Sequence, residues 1–100
     1  MKLWKVTNML DSIIHAPNRL TICSVLATSA ELEFRVLKEH LDVSDSVLSK
    51  QLKILEEASY IKLKKKREFN RPRTWVSLTK KGRKAFDIHV KALKDIVGSL

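Results

Sequence analysis

Apolar residues recur at helical spacing through the first 58 residues, where they predict four helices. Pro17 suits the first turn of the second helix, because the amide hydrogen that proline lacks has no partner there. Residues 31–34 alternate between polar and apolar side chains, which indicates a brief strand before the third helix. Asp42-Val43 interrupts the pattern, and Ser44 is a suitable N-cap for the fourth helix. The apolar positions of the four helices are, in order, Leu3, Val6, Leu10 and Ile13; Leu20, Cys23, Leu26 and Ala27; Val36, Leu37 and Leu41; and Val47, Leu48, Leu52 and Leu55.

The remaining residues predict a β-hairpin followed by a long helix. Residues 60–64 and 74–78 each alternate with period two, so they predict two half-buried strands. Residues 68–72 lie between them and are expected to form an extended, basic tip. Thr79 is a suitable N-cap for the final helix. The apolar residues of that helix recur four and three positions apart, at Phe86, Val90, Leu93, Val97 and Leu100.

The order helix-helix-strand-helix-helix-strand-strand-helix predicts a mainly α fold with a small β-hairpin, in the α+β class. A chain of 100 residues has the length of a single domain, 1–100. Such a domain has one modest core and little room for a deep active site, which excludes a large multi-part enzyme. A single cysteine cannot form an intramolecular disulfide, and no apolar run approaches the length of a membrane span. We therefore expect a cytoplasmic protein.

The net charge of +9 is concentrated in one part of the chain. Residues 61–84 carry eleven lysines and arginines against Glu68 alone, whereas residues 1–60 carry seven basic and eight acidic side chains. Merely solvated basic surfaces normally mix the two signs, so this segment favours a polyanionic partner. A membrane surface would require a basic amphipathic helix, and the densest part of the segment alternates as a strand.

Helical periodicity divides the fourth predicted helix into two faces. The outward face carries short hydroxyl side chains and lysines, which can approach phosphates and base edges in a major groove about 12 Å wide. A plain solvent-exposed face would have the same composition, and on this helix alone the two interpretations are balanced. The adjoining basic hairpin favours the nucleic-acid interpretation. The outward residues are Ser46, Ser49, Lys50 and Lys53.

Three segments of the chain carry a resemblance to a known family. They are LDSIIHAPNRL at 10–20, LSKQLKILEEA at 48–58 and RPRTWVSLTKKGR at 71–83. The chain resembles the small winged helix-turn-helix transcriptional regulators of the MarR and ArsR type. The resemblance spans nearly the whole chain. Its most specific part combines the helix-turn-helix, the wing and the Leu-Thr-x-x-Gly sequence that begins the last helix at 78–82.

The resemblance implies a winged-helix homodimer that binds double-stranded DNA at a near-palindromic operator. Residues 44–58 would form the recognition helix in the major groove, and residues 64–73 the wing on the DNA backbone and minor groove. Pro72 restricts the backbone between two arginines and so favours their presentation at the hairpin tip. Asp45 departs from this pattern because phosphate repels its charge, so it would cap the helix or accept a hydrogen bond from cytosine. The expected DNA-binding residues are Ser44, Asp45, Ser46, Val47, Ser49, Lys50 and Lys53 in the helix and Lys64, Lys65, Lys66, Arg67, Arg71 and Arg73 in the wing.

The first and last predicted helices have more apolar surface than such a domain needs, and the spacing in the last favours helix pairing across a homodimer. The alternative is that both helices pack back onto their own domain. A small-molecule effector of unknown identity would fit between them. The expected dimerisation residues are Leu3, Val6, Leu10, Phe86, Val90, Leu93 and Val97.

These features together predict a sequence-specific DNA-binding transcriptional regulator, most simply a repressor that occludes its site. Two other classes of protein remain open. A module that binds nucleic acid without regard to sequence would have equal affinity for unrelated duplexes. A winged-helix protein-interaction module would have a neutral or apolar recognition face, which the lysines at 50 and 53 disfavour.

No catalytic residues, cofactor or metal site are expected. Cys23 is alone on the inward face of its helix, which is typical of a small core side chain. Asp87 and His89 resemble the first half of a zinc site found in some ArsR-type sensors, but its second half would fall at and beyond Leu100. His15 is expected to hydrogen-bond the backbone at the helix junction.

Overall fold

The computed structural model describes residues 8–98, which form four helices and three strands. From residue 17 onward their order is the predicted one, and the α+β fold class is confirmed. Two bounds differ slightly, since the predicted strand at 31–34 is two residues long and Phe34 already belongs to the next helix. The elements are α1 (Pro17–Ala27), β1 (Leu32–Glu33), α2 (Phe34–Leu41), α3 (Asp45–Glu57), β2 (Ile61–Glu68), β3 (Arg71–Leu78) and α4 (Lys80–Gly98).

The predicted first helix is wrong for residues 8–16, which form turns. The Asp11 carboxylate accepts hydrogen bonds from the backbone N–H groups of Ile13 (2.8 Å) and Ile14 (3.3 Å). Such a local side-chain bond gives the backbone a partner that competes with helix formation. Ile14 nevertheless joins the core, where it is fully buried. The predicted positions Leu3 and Val6 lie outside the described residues.

The inward faces predicted for α1, α2 and α3 pack against one another in the core, and the sheet packs against them. Proline occupies the first turn of α1 as predicted, and the side chain of Ser44 caps α3. Apolar burial of this kind stabilises a domain by about 25 cal/mol per Å². The fully or almost fully buried apolar residues are Ile14, Ile22, Cys23, Leu26, Leu37, Leu48, Leu52, Leu55, Ile61, Val76 and Ala92.

The three strands form one antiparallel sheet in the order β1-β3-β2. The hairpin strands are longer than predicted, because cross-strand pairing continues to Glu68 and Arg71. The predicted extended tip is therefore a two-residue turn, Phe69-Asn70.

Alternation along the hairpin places its cations on two opposite faces. Directly paired residues of antiparallel strands have side chains on the same face. Lys65 pairs with Thr74, and both lie on the face of the buried Val76. The inner face thus carries Leu63, Lys65, Thr74 and Val76, and the outer face carries Lys64, Lys66, Arg73 and Trp75.

The Leu-Thr-x-x-Gly sequence joins the hairpin to α4 through one close backbone contact. The Thr79 hydroxyl accepts a hydrogen bond from the Gly82 N–H (2.9 Å), and the Thr79 N–H donates to the Tyr60 carbonyl (3.0 Å). A Cβ atom at Gly82 would lie 2.0 Å from that carbonyl oxygen, so only glycine fits. This contact holds the beginning of α4 against the end of the α3–β2 connection.

A polar cluster around the buried His89 links α4 to the segment before α1, and the sequence did not predict it. His89 is fully buried, and its Nδ1 accepts a hydrogen bond from the Asp11 N–H (3.0 Å). Its proton therefore lies on Nε2, which donates to His15 Nδ1 at 3.2 Å. His15 thus contacts another imidazole and not the backbone as expected. The Tyr60 hydroxyl donates to Asp11 Oδ2 (2.5 Å), and this bond, with burial, raises the pKa of Tyr60 to about 12.

We predict that the protein loses stability as the pH falls below about 6.5, the ordinary imidazole pKa. Burial, and then the neighbouring His15, lower the pKa of His89 below 6.5. At a pH just below 6.5 the unfolded chain therefore binds a proton at this residue, whereas the native state does not. Over the pH range in which only the unfolded chain binds this proton, each unit by which the pH falls lowers the free energy of unfolding by about 1.4 kcal/mol. Thermal unfolding of the wild type between pH 7 and 5 measures this loss.

His89→Asn is the matched variant, because an asparagine oxygen can still accept the Asp11 N–H bond but does not titrate. We expect a flatter pH dependence of unfolding for this variant. His40→Asn changes an exposed imidazole on α2 and should leave the wild-type profile unaltered. Parallel profiles for all three proteins would contradict the assignment to His89.

Candidate nucleic-acid interface

A tight turn joins α2 to α3 and sets the direction of α3. Asp42 ends α2 in the left-handed conformation (φ 53°), and its N–H donates to the Lys38 carbonyl (2.9 Å). The Ser44 hydroxyl then caps α3 by accepting a hydrogen bond from the Val47 N–H (3.2 Å). Asp45 forms an ion pair with Lys38 (2.7 Å), which links the two helices. The unexpected acidic residue at the start of α3 therefore has a partner within the protein.

The outward face of α3 is open to solvent and the helix is anchored on its other side. Leu48, Leu52 and Leu55 are buried, and the Gln51 amide oxygen accepts a hydrogen bond from Arg19 of α1 (2.7 Å). The same arginine donates to the Ile13 carbonyl (2.5 Å). The exposed residues on the opposite side are Ser46, Val47, Ser49, Lys50 and Lys53.

One concave groove connects α3 with the inner face of the hairpin. It has a volume of about 450 Å³ and lies between the two elements. Ser49 and Lys53 of α3 line one wall, and Lys65 and Thr74 of the hairpin line the other. The two predicted basic surfaces thus meet along this groove. The rest of the groove is lined by Phe34, Leu52, Glu56 and Leu63, so one carboxylate lies in it beside the two lysines.

The outer face of the hairpin has a different environment, because two of its cations are already paired. Lys66 forms an ion pair with Glu31, and its ammonium lies 4.8 Å from the centre of the Trp75 ring. Arg73 forms a 2.7 Å ion pair with Glu33, and both side chains are mostly buried. Bonds of this kind hold the two cations against the sheet. The acidic partners come from β1 and its start, far away in sequence.

The tip of the hairpin presents further cations to solvent. Arg71 is exposed, as are Lys64 and Lys65. The Arg67 guanidinium is exposed and donates to the Asn70 carbonyl across the turn (2.8 Å). The predicted wing residues therefore separate into four exposed cations and the two that are paired on the outer face.

The predicted dimerisation residues are partly used in the fold of the monomer. Leu10, Phe86, Val90 and Leu93 are half-buried, and Val97 is 66% exposed. The buried face of α4 is centred on His89 and Ala92, and the predicted apolar positions lie at the edges of that face. Two further exposed apolar side chains, which are not among the predicted dimerisation residues, are Met9 (60%) and Ile88 (47%).

The described residues, 8–98, offer no cluster of three or more His, Cys, Asp or Glu side chains that could hold a metal ion. Within the same range no helix is long and apolar enough to cross a bilayer. Cys23 is buried, which raises the pKa of its thiol to about 11, so the thiol stays protonated at neutral pH.

Comparison with known proteins agrees with this arrangement. A family model described as a winged helix DNA-binding domain matches residues 18–97. The chain belongs to this winged-helix family. An uncharacterized protein of Methanocaldococcus jannaschii is 35% identical to it over 78 residues, which are 78% of this chain and 85% of that protein.

Solved structures support the same assignment. A transcriptional regulator homologue from Pyrococcus horikoshii is 26% identical, with a TM-score of 0.87, and the match covers 99% of this chain and 97% of that one. A protein from Porphyromonas gingivalis, described as a putative transcriptional regulator of the MarR family, is 27% identical. Its TM-score is 0.68, and the match covers 88% of this chain and 85% of that one. The chain is thus a winged-helix regulator of the MarR type, in a family that binds DNA and is not enzymatic.

Proposed function

We propose that this winged-helix protein is a sequence-specific regulator that binds double-stranded DNA as a homodimer and acts as a repressor. The helix α3 lies in the major groove, and the β2–β3 hairpin lies on the backbone and the adjacent minor groove. The groove between α3 and the hairpin carries the proposal, because it makes the two basic surfaces one footprint. Hydroxyl and lysine side chains on the α3 wall suit base edges and phosphates.

The environment of each hairpin cation refines which of them contact DNA. Lys65 lines the groove shared with α3, and Arg67 and Arg71 are exposed at the tip. Lys66 and Arg73 have acidic partners, so a phosphate would have to displace a carboxylate to bind them. We therefore assign DNA contacts to the exposed cations. The two paired cations instead stabilise the hairpin against β1 and the residue before it.

Exposed apolar side chains on α4 and before α1 support the homodimer. Val97 is accessible near the end of α4, and Met9 is accessible in the segment before α1. Asp11 and His15 of that segment contact His89 of α4. Ile88 is also accessible, but it lies nine residues from Val97 and therefore on the opposite side of the helix. Pairing Val97 and Met9 across a two-fold axis would remove apolar area from water. Two recognition helices about 34 Å apart would then enter successive major grooves on one side of the duplex. Such a dimer represses by occupying its site, and a small-molecule effector would act by changing the spacing of its two helices.

Selection of bound fragments from random duplex DNA tests the proposal. We expect an enriched inverted repeat whose half-sites are centred about one helical turn apart, because the symmetry of a dimer imposes symmetry on its site. An enriched single half-site would overturn the homodimer but keep the sequence-specific contact of α3. Recovery of duplexes without any enriched sequence would show that the protein binds nucleic acid indifferently to sequence.

A further inference from the structure

The tip of the hairpin exposes an aromatic ring that the fold does not use. Phe69 is 86% exposed, the largest fraction among the big apolar side chains that the structure describes. It lies at the far end of the two long strands and outside the hydrophobic core. An aromatic ring held in water loses the free energy that its burial would supply. Its position is therefore explained by something other than the stability of the monomer.

The backbone of the turn is also unfavourable for this residue. Phe69 and Asn70 both have positive φ angles, 52° and 61°. Asparagine tolerates this left-handed conformation, whereas a bulky residue such as phenylalanine is a true outlier there. A two-residue hairpin turn of this type favours asparagine or glycine at both positions. Phenylalanine thus occupies a turn position where asparagine or glycine would have less backbone strain. Such strain is typical of functional positions.

Two arginines and one carboxylate flank the turn that carries the ring, since Glu68 directly precedes Phe69 and pairs with Arg71 across the two strands. Arg67 lies on the strand before the turn and donates to the Asn70 carbonyl (2.8 Å), which links the two sides of the turn. Arg71 follows on the next strand and is exposed. Lys65 lies further along the inner face of the hairpin and lines the groove shared with α3. A polyanion that follows these cations from the groove would meet the ring at its end.

We infer that Phe69 is an apolar wedge that enters the minor groove and partly unstacks one base step of the bound duplex. The inference rests on the proposed function, since it requires the hairpin to lie against DNA. Apolar side chains that enter the minor groove in this way separate adjacent bases and bend the duplex. The two flanking arginines neutralise the phosphates that approach each other at such a bend.

A wedge and an arginine contact favour different A·T-rich sequences, which makes the inference testable. Pyrimidine–purine steps such as TA unstack easily, so a wedge favours a duplex of alternating A and T. An A-tract is stiff and has a narrow minor groove that attracts arginine, so guanidinium contacts alone favour the A-tract. Both duplexes contain only A·T pairs and present the same minor-groove hydrogen-bonding groups.

The experiment compares wild type with Phe69→Asn on two 30-base-pair probes, one alternating and one built of A-tracts, by fluorescence anisotropy at one salt concentration. We expect wild type to favour the alternating probe and Phe69→Asn to lose about tenfold in affinity for it, which is the scale of one stacked aromatic contact. The A-tract affinity should change little. The same substitution should raise the melting temperature of the free protein by about 4 °C, because asparagine accepts the positive φ.

Two further measurements make the result specific. A 2-aminopurine in the alternating probe should brighten when wild type binds and stay dim with Phe69→Asn, since this base fluoresces more when it is unstacked. Asn70→Gly is the matched control, because it changes the other residue with positive φ and keeps the ring. We expect this control to retain the wild-type preference and the 2-aminopurine signal.

The outcomes separate this inference from the function on which it rests. If wild type binds both probes and Phe69→Asn binds them equally well, the wedge is wrong and the DNA-binding function stands. If wild type binds neither probe at a salt concentration at which it binds its selected site, the wedge is wrong and the DNA-binding function stands. If wild type binds no duplex at all, both are wrong. Binding of phosphatidylserine vesicles that is lost in Phe69→Asn, with no change in DNA affinity, would assign the ring to a membrane surface and overturn the wedge.

Discussion

Raising the salt concentration from 50 to 200 mM should lower the affinity of this protein for duplex DNA by about 10³- to 10⁵-fold. That range corresponds to six to ten phosphate contacts, because each neutralised phosphate releases condensed counterions. The footprint of one protomer offers six exposed cations for these contacts, and a dimer doubles the set. They are Lys50, Lys53, Lys64, Lys65, Arg67 and Arg71. Anisotropy titrations of a labelled 30-base-pair duplex at four salt concentrations give the slope.

Two adjacent lysines of β2 provide a matched pair for this measurement. Lys65→Gln removes a cation from the groove shared with α3, so the salt slope should fall by about 1 for each protomer bound. Lys66→Gln removes a cation that is paired with Glu31 over Trp75, so the slope should stay near the wild-type value. A flat salt response of the wild type would remove the electrostatic basis of the proposed function. A slope that falls with Lys66→Gln instead would show that Lys66 leaves Glu31 to contact phosphate.

Gly82→Ala should destabilise the protein by about 3 kcal/mol. Its Cβ would lie 2.0 Å from the Tyr60 carbonyl oxygen, which is backbone and cannot rotate away. The first turn of α4 would have to move, and the Thr79 bonds that hold it there would lengthen. Chemical denaturation measures the free energy of unfolding directly, and the melting temperature should fall by at least about 12 °C.

Gly98→Ala is the control, because a Cβ atom at Gly98 would meet nothing within 4 Å. We expect its free energy of unfolding to stay within about 0.5 kcal/mol of the wild type. This control separates the close approach at Gly82 from the general effect of replacing glycine in a helix. Equal stability of Gly82→Ala and wild type would show that the contact with Tyr60 is not maintained in solution.

The helices of the core could be predicted because their signals are local. Leu48, Leu52 and Leu55 are spaced so that any helix formed there turns them to one side, and the structure buries all three. The caps at Ser44 and Thr79 are equally local, since each hydroxyl bonds a backbone N–H three residues later. The same periodicity placed the serines and lysines of α3 on the outside.

The predictions that were wrong involve partners distant in sequence or competing local bonds. A single aspartate at position 11 does not outweigh an apolar helical pattern when the sequence is interpreted. In the structure, however, its carboxylate bonds two backbone N–H groups and the chain turns before α1. His89 was not identified as a core residue, because the groups that satisfy it lie 78 and 74 residues away, at Asp11 and His15. A polar residue can be buried once such partners exist, and only the folded chain brings them together.

By itself the sequence determined the order of the elements from residue 17 onward, the inward and outward faces of α3 and the concentration of positive charge at 61–84, because spacing and charge are properties of the chain alone. The tertiary structure decided which of those charges remain available. Lys66 and Arg73 meet Glu31 and Glu33, which are 35 and 40 residues away, only because β1 pairs with β3. Lys65, one residue from Lys66, points to the opposite face and into the groove with α3. Strand pairing, which joins distant segments, thus divided the basic run into two cations that are paired within the protein and others that remain exposed.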